Sequence, residues 1–270
     1  MAHECKPTMT IITAVNGNRY KPYLMVLLNS LIRVGIDKVI VVYSDVDNIH
    51  ELQNIFPQIT LIEYPVDESG DRVNKIAGKV KYWIKALKNC DDTQIVFVDA
   101  DTYFLKNSQE VFNDEFDIAY TVRQSRWRIN TGVLFAKKRL SIEWFLEEWI
   151  DNNRIILAKK ELIKKSKVEF GSPDQMGFFQ AKEEPRAVNT KLIDFKELPC
   201  LKWNMCDCTT NLSDVGILHL KGCLPLLLKE RLYGKEYGDE RQPSICEGMF
   251  DLWRKSYKEI LGELKGDNEK

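Results

Sequence analysis

Along the first hundred residues, short apolar runs alternate with longer segments whose apolar positions recur every three or four residues. Residues 10–15 (TIITAV), 38–43 (KVIVVY), 60–64 and 95–98 (IVFV) have the length and β-branched content of buried strands. Asn16-Gly17-Asn18 stops the first run. Residues 22–35 (PYLMVLLNSLIRVG) predict a helix with Pro22 in its first turn and Gly35 as its stop. Ser44-Asp45-Val46-Asp47 can cap a short helix reaching about Phe56. Ile76, Val80, Trp83, Ile84 and Leu87 share one face of a helix over 75–87. Strands alternating with helices in this way predict a mostly parallel sheet with helices on both faces, an α/β fold.

Beyond residue 105 the pattern loosens. Residues 116–122 and 133–137 read as strands around a turn at Ile129-Asn130-Thr131-Gly132. A long helix is expected from about Ser141 to Lys165, with a break at Asp151-Asn152-Asn153. Ser172-Pro173-Asp174-Gln175 has the form of a capping box opening another helix. Residues 192–198 and 215–218 and a helix over 249–264 complete the chain. There is no internal repeat, low-complexity segment or clear linker, so residues 1–270 are expected to form one domain. Its first part, about 10–105, has the strand–helix alternation expected of a nucleotide-binding half.

Composition narrows the classes. A chain of 270 residues with 44% hydrophobic and 29% charged residues is an ordinary globular protein. A formal net charge of −1 argues against a general nucleic-acid-binding surface. No apolar window is long enough to span a membrane, and residues 1–10 lack a signal-peptide core. Seven irregularly spaced cysteines suit free thiols in a reducing compartment. The expectation is a soluble, cytoplasmic protein.

One stretch carries chemistry. The run 95–98 leads straight into Asp99-Ala100-Asp101. Residues two apart on a strand face the same way, so both carboxylates would leave the strand end together. Paired carboxylates repel unless a cation sits between them, and core strands of α/β folds present ligands at their carboxyl ends. Hard oxygen ligands point to Mg²⁺ or Mn²⁺, and hence to a diphosphate. The plain alternative is a solvated strand end opening a turn.

Several segments, in order, resemble the retaining glycosyltransferases of the glycogenin and bacterial lipooligosaccharide galactosyltransferase type: TIITAVNGNRY, GKVKYWIKAL, VFVDADTYFL, INTGVLFAKK, GSPDQMGFFQ, ELPCLKWNMC and VGILHLKGC. The resemblance implies the GT-A nucleotide-diphospho-sugar transferase fold, with a sugar and acceptor half over about 106–230. It implies Thr13, Ala14 and Tyr20 near the donor base, Lys79 near the donor phosphate or sugar, and Ala100 near the ribose. Asp99, Asp101 and His219 would ligate Mn²⁺, or Mg²⁺. Asn130, Asp174 and Gln175 would face the sugar and acceptor, and Asn204 would stand in its motif. Gly222 would let backbone approach the diphosphate. The chain departs from the family where a Lys-Pro follows that glycine. It reads Leu224-Pro225, leaving Lys221 or Lys229 as substitutes.

The implied reaction moves a sugar from a UDP-sugar to a hydroxyl of a carbohydrate, glycolipid or protein, with retention. Asp174 is the carboxylate to examine first. The basic stretch LAKKELIKKSKV (157–168) could rest on an anionic membrane, although a solvated face is the favoured reading. Two rival readings are a sugar-phosphate nucleotidyltransferase and a zinc-stapled module using Cys200, Cys206, Cys208, His219 and Cys223. The cysteine spacing lacks a usual zinc knuckle.

Overall fold

The computed structural model describes residues 9–65, 72–124, 127–137, 139–206, 212–220 and 247–267. Its strands are β1 (Met9–Asn16), β2 (Val39–Ser44), β3 (Ile59–Glu63), β4 (Gln94–Asp99), β5 (Thr102–Phe104), β6 (Ile118–Val122), β7 (Ile129–Ala136), β8 (Phe195–Pro199) and β9 (Ile217–His219). The helices are α1 (Lys21–Arg33), α2 (Leu52–Ile55), α3 (Arg72–Leu87), α4 (Arg139–Leu157), α5 (Lys160–Glu169), α6 (Pro173–Glu183), α7 (Cys200–Trp203) and α8 (Glu247–Asp267). Seven strands form a sheet in the order β3-β2-β1-β4-β7-β6-β8, and β5 pairs with β9 apart from it. Within the large sheet only β7 runs against the others. This is the expected α/β architecture, mostly parallel.

Both faces are covered, so the central strands carry apolar residues without alternation. On one face, α1 and Trp253 and Ile260 of α8 pack over Ile11, Val41, Val96 and Val98. On the other, Val80, Trp83, Phe145, Trp149 and Phe178 of α3, α4 and α6 cover Ile12, Val42, Ile95 and Phe97. Ile95 to Val98 are 0–1% exposed, and each such side chain contributes about 1.5–3 kcal/mol of burial. α1 ends as expected: Gly35 adopts φ +74°, where a side chain would be strained, and Ile36 N–H bonds back to Leu31 O at 2.9 Å. Among the described residues no helix is long and apolar enough to cross a membrane.

Three expectations fail locally. Ser44 does not start a helix; it ends β2, and its hydroxyl bonds Asn16 and Tyr82. Asp45 and Asn48 take left-handed conformations, and helical structure begins only at Ile49. The segment Ile129-Asn130-Thr131-Gly132 is no turn: it opens β7, whose eight residues are all buried between β4 and β6. Asp151-Asn152-Asn153 does not break α4. Asn153 is buried and donates to Ala77 O (3.2 Å), so packing against α3 outweighs its weak helix propensity. The break falls at residues 158–159.

Candidate active site

β4 ends at Asp99, and the chain turns at once through Ala100 and Asp101 into β5. Thr102 Oγ1 closes this turn on Asp99 O (2.8 Å). The two carboxylates therefore converge through a reversal of the chain, not through strand alternation. β5 pairs antiparallel with β9, placing Thr102 opposite His219, and Leu220 N–H bonds Asp101 O at 2.6 Å. One ligand atom each from Asp99, Asp101 and His219 lies within 4.8 Å of the others.

The imidazole is oriented from behind. Asn204 Nδ2 donates to Thr121 Oγ1 (2.8 Å), so its Oδ1 is the atom facing His219 Nδ1 at 2.9 Å. That oxygen must accept, so a ring proton sits on Nδ1 and Nε2 is the atom facing Asp101 Oδ1 (3.1 Å) and Asp99 Oδ2 (3.7 Å). Three electron-pair donors aimed at one point repel until a proton or a cation lies between them. Two carboxylates and one imidazole form a donor set that could hold a divalent cation.

Gly132 of β7 makes the approach feasible. A Cβ there would stand 2.5 Å from His219 Cε1, 2.7 Å from its Nδ1 and 3.2 Å from Asp99 Oδ2. Any side chain would push the histidine off the aspartates. The sequence marks Gly132 only as part of a motif, and nothing local announces this distant neighbour.

Lys79, from α3, crosses to the same point. Its ammonium lies 3.0 Å from Asp99 Oδ1, 3.0 Å from Thr131 O and 3.2 Å from Asp174 Oδ2. Burial alone would lower its pKa, but the Asp174 and Asp99 carboxylates outweigh that and raise it. With Asp99 Oδ1 so engaged, Oδ2 is turned to the cluster. Asp174 lies in the first turn of α6, which Ser172 caps by accepting from Gln175 N–H (3.2 Å). Thr131 Oγ1 donates to Asp174 Oδ2 (2.7 Å), while Oδ1 is buried with no hydrogen-bond partner among the described residues. Burial pushes the Asp174 carboxyl above the usual range, Lys79 and Thr131 pull it back, and Asp99 adds to the rise.

The remaining expected residues divide. Ala14 pairs with Asp99 in register, placing the end of β1 beside the cluster, and Thr13 is fully buried. Asn16, not singled out from the sequence, donates to Ser44 and Tyr82, and its Oδ1 is buried without a partner among the described residues. Tyr20 lies at the start of α1, with the Arg19 guanidinium 4.6 Å from its ring centroid and bonded to its hydroxyl. Ala100 is buried in the turn. Asn130 Oδ1 accepts from Gly132 N–H (3.2 Å), and its Nδ2 lies 3.6 and 3.8 Å from the sulfurs of Cys200 and Cys206. The Gln175 amide, oriented to satisfy both groups, donates to Ile129 O (3.0 Å) and Phe170 O instead of closing the capping box. Lys221, Gly222 and Lys229 lie outside the described residues, as do Cys208 and Cys223 of the zinc reading. Within the described residues His219 faces aspartates, not thiols.

No family model and no curated protein matches the sequence. Solved structures do. The galactosyltransferase LgtC, in complex with donor and acceptor sugar analogs, is 14% identical at TM-score 0.54, with 92% of this chain and 96% of that one covered. The apo-form glycosyltransferase GlyE of Streptococcus pneumoniae TIGR4 is 13% identical at TM-score 0.57, covering 97% of this chain and 64% of that one. The bifunctional glycosyltransferase WbbM is 11% identical at TM-score 0.51, covering 82% of this chain and 47% of that one. The chain thus spans nearly all of LgtC, just under two thirds of GlyE and about half of WbbM. At these identities the likeness concerns architecture, and the architecture is that of the GT-A glycosyltransferases.

Proposed function

We propose that this chain is a metal-dependent glycosyltransferase that moves a hexosyl group from a UDP-sugar to a hydroxyl acceptor with retention. The observation that carries the reading is the convergence of Asp99, Asp101 and His219, with Asn204 fixing the imidazole and Gly132 making room for it. These residues fit a Mn²⁺ ion, which when bound supplies Lewis-acid stabilisation of charge on the departing diphosphate. Lys79, held between Asp99 and Asp174, would add fixed positive charge at the same cluster, worth most in a site that excludes water.

The rest of the cleft positions the sugar. Asp174 Oδ1 is free to accept a donor-sugar hydroxyl, since Lys79 and Thr131 already hold Oδ2. Asn130 Nδ2 makes only weak sulfur contacts, which a sugar hydroxyl can replace. Asn16 Oδ1 offers an acceptor for the N–H of a uracil, and Ala14, paired in register with Asp99, brings the end of β1 beside the cluster. Retention comes from the resemblance, and Asp174, the buried carboxylate nearest Lys79, is the one to test first for a role in it.

A screen of nucleotide-sugars for Mn²⁺-dependent hydrolysis needs no acceptor and tests the proposal. Release of UDP from at least one UDP-sugar, abolished by chelator, is expected. Inertness towards every nucleotide-sugar, or release of pyrophosphate from a nucleoside triphosphate and a sugar phosphate, would overturn it.

A further inference from the structure

Two thiols flank Asn130 behind the candidate site. Its Nδ2 lies 3.6 Å from Cys200 Sγ and 3.8 Å from Cys206 Sγ, and the two sulfurs hydrogen-bond each other. Cys200, the first residue of α7, is buried, and its S–H donates to Asn204 O (2.9 Å). Cys206 follows the bridge from Met205 to Leu218 of β9 and is partly exposed. Neither is part of a disulfide.

A buried cysteine is ordinarily inert packing. The charge beside this pair argues otherwise. The Arg123 guanidinium lies close enough to favour a charged Cys200 sulfur. Its Nε and Nη2 are buried with no hydrogen-bond partner among the described residues. A guanidinium without a counter-charge stabilises the thiolate, which is the form that oxidants attack. The hydrogen bond with Cys206 and burial push the Cys200 thiol up, and Arg123 only partly pulls it back. Cys200 therefore stays protonated, and Cys206, the thiol open to solvent, meets an oxidant first.

The backbone between the thiols gives their oxidation a consequence. Asn204 lies between them in sequence, its N–H bonds Cys200 O (3.0 Å), and its side chain orients His219. Met205 is tied to β9 on both sides: its N–H bonds Ile217 O (2.9 Å) and its O accepts from His219 N–H (2.7 Å). Joining the sulfurs takes the S–H away from Asn204 O and draws the ends of this short segment together. Resting on the metal-dependent reading above, we propose that Cys200 and Cys206 are a peroxide-sensitive modification site whose disulfide turns Asn204 away from His219 and weakens the cation site. In the first step the Cys206 thiolate attacks one oxygen of hydrogen peroxide and the O–O bond breaks. Cys206 becomes a sulfenic acid, and the departing hydroxide takes up the proton that Cys206 had released, giving water. Cys200 Sγ then attacks the Cys206 sulfur, the S–O bond breaks, and the Cys200 proton leaves with the hydroxide as a second water. The two thiols together lose two electrons, which the peroxide gains.

Peptide mass mapping of the full chain after hydrogen peroxide, with remaining thiols alkylated, tests the site. A peptide linking Cys200 to Cys206 is expected, absent after dithiothreitol. Imidazole NMR reads the consequence without metal: the His219 Nδ1–H resonance is expected to move on oxidation and return on reduction. Mn²⁺ affinity, by electron paramagnetic resonance titration, is expected to fall by about tenfold on oxidation and to recover with reductant. Cys206→Ser should be indifferent to peroxide in all these measurements. Should that variant fail to fold, reversal by dithiothreitol in the natural chain gives the same test. Both thiols still open to alkylation after peroxide, a disulfide from either to another cysteine, or a linked peptide with an unmoved His219 ring would overturn the inference. Reduced protein that binds no Mn²⁺ contradicts the metal-dependent reading alone, since the linked peptide and the His219 ring still report on the thiols.

Discussion

In the half of the sheet built from β3, β2, β1 and β4, every neighbour is parallel and every connection returns through a helical segment, so the strand ends all point one way. In the half built from β7, β6 and β8, β7 runs backward where it joins β4 on one side and β6 on the other. The first half displays Asp99 at its rim. The second half supplies what decides the use of Asp99: the Gly132 gap, the Thr131 hydroxyl, the Asn204 amide that turns His219, and the Asp174 carboxylate bridged through Lys79. Because β7 is antiparallel, its first residues, not its last, reach the rim where β4 ends. A reversed strand thus delivers Asn130, Thr131 and Gly132 directly against the carboxylates.

If the halves are joined electrostatically through Lys79, removing it should have the largest effect on stability. Lys79→Met leaves Asp174 buried beside Asp99 without its counter-charge, and about 3–5 kcal/mol of loss in urea denaturation is expected. Adding Asp174→Asn should recover much of it. Equal losses in the single and double variants would show that the two halves are not coupled there.

Gly132→Ala tests the steric side of the same contact. The new methyl meets the His219 ring, and a loss of Mn²⁺ affinity towards the upper end of about 10–100-fold is expected, read by electron paramagnetic resonance titration. An unchanged titration would mean that His219 is not a ligand. Asn204→Ala should act through the ring's orientation, with a loss nearer the lower end of that 10–100-fold range.

Glu148 gives the smallest effect and a control away from the site. Burial opposes its charge, but Arg186 Nε (2.9 Å) and the N–H groups of Arg186 and Ala187 hold its pKa below the usual value. A lowered folded-state pKa means its stabilisation is complete above the unfolded value of about 4.3 and lost as pH falls through the folded one. Glu148→Gln should therefore cost about 1 kcal/mol at neutral pH, narrowing towards zero in acid, with metal binding untouched. A gap that widens in acid would reverse the assignment.

The parallel half was legible in the sequence because each of its strands is buried on both faces and each helix shows one apolar stripe. The runs 38–43 and 95–98 and the Pro22-to-Gly35 helix need nothing from elsewhere to be recognised. Asp99, Asp101, Lys79 and His219 were found there or through family resemblance, and the fold brings all four together. The antiparallel half was harder to read. Asn130-Thr131-Gly132 has the composition of a turn, and only tertiary pairing with β4 and β6 makes it a strand. Asn152 and Asn153 look like helix breakers until α3 and α6 pack around them. The tautomer-setting role of Asn204 depends on Thr121 and His219, 83 and 15 residues away, and no local pattern encodes it.

Calorimetric titration of UDP into the full chain, with Mn²⁺ and with chelator, and again in Asp101→Asn, tests the metal centre most directly. The account predicts UDP binding that requires Mn²⁺ and disappears in the variant while its thermal unfolding stays cooperative. UDP binding that survives chelator, or that persists in Asp101→Asn, would contradict it.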